Sequence, residues 1–138
     1  MGKKILAISL GTCAIVGALY LAGSPIGSQV RNYMYVMDWQ DTIKHKGLKD
    51  MSVGYNWSDD MIEVTVKGTG TEDKMSGMNA LVPGIVDKAF RQEAIKKACR
   101  GPLGVEAMKR GASFKYLLKP IDSNVSLTTA IITLEDCK

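Results

Sequence analysis

The residue types that carry out chemistry are sparse in this chain. His45 is its one histidine, and a Ser–His–Asp arrangement would have to use it. No nucleophile elbow accompanies it. At the end of a helix, beside Lys44 and Lys46, it is accounted for as a cation facing the helix dipole. The three cysteines are Cys13, Cys99 and Cys137, and a thiol nucleophile would need one of them free. Two exported cysteines and a distant histidine are too few for a metal site. Glu63, Glu72, Glu93, Glu106 and Glu135 supply the carboxylate pair of glycoside cleavage only if the fold brings two together. Each stands where a solvated face explains it. Asp59-Asp60 reads as a turn rather than as an acid pair. Gly68-Thr69-Gly70 lacks the strand and helix context of a phosphate loop. Asn56-Trp57-Ser58 and Asn124-Val125-Ser126 match the glycosylation triplet, which has meaning only in a eukaryotic chain. The expectation is a protein without catalytic residues, metal or cofactor.

The stretch that places everything else is residues 5–22, eighteen residues without a charge. As a helix it would extend ~27 Å, near the ~30 Å hydrocarbon thickness of a bilayer. Lys3 and Lys4 precede it, and no Lys or Arg follows until Arg31. That asymmetry sets the N-terminus in the cytoplasm and the rest outside. A single-pass anchor in the inner membrane is the first reading. The second is a signal peptide cleaved after Ala18, releasing the body to the periplasm. The third is a lipoprotein signal, Leu10-Gly11-Thr12-Cys13, with Cys13 lipidated. Thr12 and the apolar run that continues after Cys13 count against it. All three put the body in the periplasm.

About 110 residues follow the leader, enough for one domain with a core of its own. The net charge of +4 comes from Lys and Arg scattered among Asp and Glu. That pattern is no nucleic-acid arm; it fits a basic surface facing a membrane or an acidic partner. In an oxidising compartment Cys99 and Cys137 most simply make one disulfide. It would close a loop of about 38 residues and stabilise the domain by roughly 4 kcal/mol. Two free buried thiols are the alternative.

Residues 1–23 are thus the anchor or signal segment, 24–28 a linker and 29–138 a single exported domain. An amphipathic helix is expected over 29–46. Val30, Tyr33, Met34 and Met37 mark one face, and Val36, Trp39 and Ile43 the next, with Gly47 as the stop. Period-two alternation predicts strands over 51–57 and 61–67, turned by Ser58-Asp59-Asp60. A polar loop over 68–74 follows, and helical pattern resumes near Met78. The main helix covers 83–99. Val82, Val86, Phe90, Ala94 and Ala98 form its apolar stripe, joined by Ile85 and Ala89, with Lys88, Arg91, Lys96, Lys97 and Arg100 opposite. Gly101-Pro102 breaks it, a short helix covers 103–110, and strands follow over 113–118 and 125–134, with Cys137 ending the last. The expected class is α+β: an antiparallel sheet of two β-hairpins, in the order ββ-α-α-ββ, packed with helices after the amphipathic one.

From Met51 to Cys137 this layout resembles the beta class of pilotins of bacterial type II secretion, small lipoproteins that help an outer-membrane secretin reach its place. The resemblance is carried by Gly54-Tyr55 in the first strand and the β-branched second strand, Ile62 to Val66. It continues through the helix ending in Cys99 with Pro102 close behind, Gly111, the second hairpin and Cys137. It implies helices against an antiparallel sheet, with Cys99 bonded to Cys137. The chain departs from the family at its N-terminus, where pilotins depend on a lipidated cysteine. If Cys13 carries no lipid, the resemblance concerns fold alone. The function expected is that of a non-enzymatic accessory protein that binds another envelope protein, by β-augmentation or by a helix laid in a groove. The groove is expected between the main helix and its neighbours, with Ile85, Val86, Phe90, Met78 and Met108 facing the partner. The competing account of these five is that they are core. Two other functions stay open: a phage or mobile-element membrane protein acting in exclusion or lysis control, and an envelope hydrolase.

Overall fold

The structure, a computed structural model, describes residues 25–138. The expected leader, its processing sites and Cys13 lie outside the described residues. Among the described residues no helix is long and apolar enough to cross a membrane.

Helix α1 spans Pro25–Lys46. A proline suits a first helical position, because the N–H it lacks has no partner there. The helix therefore takes in residues 25–28, which were expected as linker. It stops where expected. Gly47 adopts a left-handed φ of 65°, and the Leu48 N–H donates to the Ile43 carbonyl at 3.1 Å. Strands β1 (Met51–Asn56) and β2 (Met61–Lys67) pair antiparallel. Their turn is held by the Asn56 Oδ1, which accepts from the Ser58 and Asp59 N–H groups at 3.0 and 3.3 Å.

Three helices carry the chain from β2 to β3: α2 (Glu72–Leu81), α3 (Ile85–Arg100) and α4 (Pro102–Lys109). Helix α2 occupies a stretch expected to be loop as far as residue 74. Thr71 starts it early: its side chain accepts from the Lys74 N–H at 3.3 Å, and Glu72 and Asp73 suit the positive end of the dipole. The main helix begins at Ile85 rather than at residue 83, because Gly84 turns the chain with φ 75°. Strands β3 (Ser113–Lys119) and β4 (Thr128–Ile132) follow, and a 3-10 turn, Leu134–Cys137, ends the fold. Cys137 therefore lies in that turn and not at the end of a strand.

The sheet order is β1-β2-β3-β4. The two outer pairs are antiparallel, but β2 and β3 run parallel. The class is α+β as expected, while the sheet is mixed where an all-antiparallel one was predicted. The reason is the helical crossover, which carries the chain from the end of β2 back to the end where β2 began, as a parallel neighbour requires. Register then stacks the inward residues in rows. Tyr55, Ile62, Phe114 and Ile132 form one, and Val53, Val64, Tyr116 and Ala130 the next. Val36 and Ile43 of α1 and Ala94 and Ala98 of α3 join these rows in one buried core. Helix α1 packs along β1, α3 along β4, and α4 closes against α1, α3 and β3.

Candidate functional site

Because α1 and α3 lie over opposite edges of the sheet, the helices leave a groove above its middle. One wall is Tyr35 and Trp39 of α1; the other is Glu93, Lys96, Lys97 and Arg100 of α3. Met51 of β1 and Tyr116 of β3 lie between, and the cavity holds about 450 Å³. Gly104 belongs to the same end of the molecule. A Cβ there would meet the Ala98 carbonyl at 3.2 Å and the Phe114 ring at 3.3 Å, so a side chain would push α4 off α3. A second hollow of about 250 Å³ shares Tyr35 and Trp39 and runs on to Leu103. A third, of about 430 Å³, shares Met51 and runs to Leu48 and Val66. The three hollows therefore adjoin one another through Tyr35, Trp39 and Met51.

The groove's aromatic residues are linked through the buried Phe114 ring beneath them. The Tyr35 and Trp39 ring centroids are 5.9 Å apart, Trp39 and Phe114 6.4 Å, and Phe114 and Tyr116 6.0 Å in a stacked pair. Burial pushes the Tyr35 hydroxyl above its ordinary pKa. Burial first, and then the neighbouring Tyr35, push Tyr116 higher still. Both phenols are therefore neutral across the physiological range, fit to donate hydrogen bonds and unfit to act as bases. On the facing wall Lys96 reaches Glu93 at 3.6 Å, an exposed pair of little worth. Among the described residues no carboxylate pairs with Lys97 or Arg100. Two uncompensated cations thus overlook an aromatic floor.

A larger hollow, about 840 Å³, is lined by Asp41, Thr42, Lys44, His45 and Lys46. All five belong to the last turns of α1, so among the described residues no second element gives it a floor, and volume alone does not make it a site. The described residues contain no group of three or more His, Cys, Asp or Glu able to hold a metal ion. Of the five glutamates singled out above, Glu93 alone lines the groove. Glu106 and Glu135 form local pairs with Lys109 and Lys138. The Asp59-Asp60 carboxylates diverge. Asp59 accepts from Asn56 at 3.3 Å, while Asp60 accepts from Tyr55 and, at 3.1 Å, from Asn32.

The five residues expected to face a partner do not form one surface. Met78 and Ile85 are exposed, Val86 and Phe90 are half-buried with Phe90 packed on the core, and Met108 is buried. Met108 is core because α4 turns it inward beside Ala107. Met78 and Ile85 instead join Leu81, 85% exposed, and Val82 at the elbow between α2 and α3. The groove runs along the basic side of α3 and not along its apolar stripe. Tyr35 and Trp39 were readable as an aromatic pair four residues apart. Tyr116 joins them only through the fold.

No family model matches the chain, and no curated protein matches it. Among solved structures it is similar to the crystal structure of a protein from Pseudomonas aeruginosa named for its expected secretion. The TM-score is 0.53 at 13% identity, over 80% of this chain and 96% of that one. At that identity the likeness is one of fold.

Proposed function

We propose that this chain is a non-enzymatic accessory protein of the bacterial envelope, its body outside the cytoplasm, which docks another envelope protein in the groove between α1 and α3. The observation that carries the reading is the pairing of the aromatic groups Tyr35, Trp39 and Tyr116 with the cations Lys97 and Arg100, with which no carboxylate pairs among the described residues. Such a groove accepts an extended segment that lays an apolar side chain on the rings and turns a carboxylate toward the cations. The uncharged run at residues 5–22 and the Cys99–Cys137 disulfide support an extracytoplasmic body. So does the expected secretion of the structural neighbour. A part in secretion-system assembly rests on the pilotin resemblance, which the Cys-to-Cys unit carries.

The test is capture of crosslinked partners from intact envelopes by the wild-type chain, a Lys97→Glu/Arg100→Glu variant and a Leu81→Asp variant. All three changes are at exposed positions. The groove variant is expected to lose its specific partner at least tenfold while Leu81→Asp keeps it. If the groove variant captures the partner as well as wild type, the groove is not the dock. Loss confined to Leu81→Asp would move the dock to the α2–α3 elbow.

A further inference from the structure

Helix α1 has two apolar faces, and the sheet uses one. Asn32, Val36 and Ile43 are buried on the sheet side. Ile26, Val30, Tyr33 and Met37 fall at steps of four, three and four residues, so they make a second stripe, widened by Met34. Apart from the half-buried Val30, its members stand out from the molecule: Ile26 is 54% exposed, Met34 56% and Met37 45%. Trp57, at the end of β1, extends the stripe sideways. It is 44% exposed, its ring centroid lies 5.2 Å from that of Tyr33, and its carbonyl accepts from the Gln29 Nε2 at 3.1 Å.

We propose that this stripe, with Trp57, rests in the headgroup region of the bilayer, so that α1 lies on the membrane surface and holds the domain against it. Three observations choose lipid as the occupant. The uncharged run ends at Ala22, and α1 begins at Pro25, so the stripe's first residue, Ile26, follows the run by only four positions. The stripe then fades away from that end: no acidic residue occurs over 25–37, and Asp38 and Asp41 follow. Its composition is Ile, Val and Met beside a Tyr–Trp pair, with Arg31 at the flank, the pattern of an interfacial segment on an anionic surface. The proposal rests on residues 5–22 being retained as an anchor and is independent of the groove.

The full chain is placed in nanodiscs of phosphatidylethanolamine and phosphatidylglycerol, with and without brominated acyl chains. The chain has two tryptophans, Trp39 and Trp57, so wild type minus Trp57→Phe reports Trp57 alone. The expected result is at least twofold quenching of the Trp57 component by brominated lipid. Met34→Glu/Met37→Glu, at exposed positions, should abolish it. Trp57 emission indifferent to bromine and open to acrylamide overturns the proposal. Protection from acrylamide without quenching by bromine overturns it too, because protein, such as a second copy, would then cover the stripe. A chain that does not stay with the nanodisc overturns it as well.

Discussion

Asn32 is the residue on which most local geometry converges. It is wholly buried, it donates to the Asp60 Oδ1 at 3.1 Å, and it accepts from the Arg110 Nε at 2.9 Å. One amide thus ties α1 to the β1–β2 turn and to the end of α4. Asp60 is held there at a φ of 48°, a left-handed backbone that a non-glycine residue keeps only with support from its surroundings. Asn32→Ala would strand the partially buried partners Asp60 and Arg110. A loss of roughly 2–3 kcal/mol is expected, read as a lower urea midpoint at unchanged slope. A change below about 0.5 kcal/mol would mean that water replaces the amide without cost. Tyr55, which donates to the same Asp60 carboxylate, gives a pH test. Burial first, then the bond to Asp60 and its charge, raise the Tyr55 pKa above the ordinary value of 10.0. The folded state keeps the phenolic proton where the unfolded chain gives it up. The contribution is therefore fully present below about pH 10 and is lost as pH rises beyond it. Unfolding midpoints between pH 8 and 11 should fall at the alkaline end, and Tyr55→Phe should flatten that fall while lowering stability at neutral pH.

Among the elements, the C-terminal turn is the one most dependent on cross-links. Cys99, in the last turn of α3, is bonded to Cys137 with Cα atoms 5.4 Å apart. Arg91, two turns earlier, reaches Asp136 at 2.9 Å and the Ile131 carbonyl at 3.2 Å. The double variant Cys99→Ser/Cys137→Ser should lose roughly 4 kcal/mol, as closing a loop of this length predicts. Arg91→Ala should lose under about 1 kcal/mol, its ion pair being solvent-exposed. Denaturant unfolding of both variants with and without reductant checks this, since wild type under reductant should match the double variant. What was legible in the sequence divides along the same line of locality. The β1–β2 hairpin could be read because both strands alternate and their turn residues sit between them. The end of α1 could be read from Gly47, and the disulfide from cysteine count and compartment. The start of helix α2 was not read because its signal is one cap, Thr71, within a run of glycines and polar residues. The β2–β3 pairing was not read because no local pattern records which strand lies beside which. The groove was half legible for that reason. Tyr35 and Trp39 share a helix face, Lys97 and Arg100 another, and Tyr116 meets them only once β3 is in place.

At the scale of the molecule, α1 has two edges of use: Tyr35 and Trp39 turn toward the groove, while Ile26, Tyr33 and Met37 turn to the outside. A domain held to a membrane by the outer stripe would present the groove at a set angle to the surface, which suits a partner in the same membrane. The parallel pair at the centre of the sheet has a different consequence, for the order of birth. Each β2 residue bonds to a β3 residue about fifty positions later. A chain synthesised from its N-terminus presents α1, β1 and β2 first. Until β3 arrives, Ile62 and Val64, wholly buried in the finished fold, line an open strand edge able to pair with any extended chain. Cys99 likewise emerges well before Cys137 and waits as a thiol. The nascent domain is therefore most vulnerable to wrong strand and wrong sulfur partners during the emergence of its last forty or so residues, after the residues of most of its helices have already appeared.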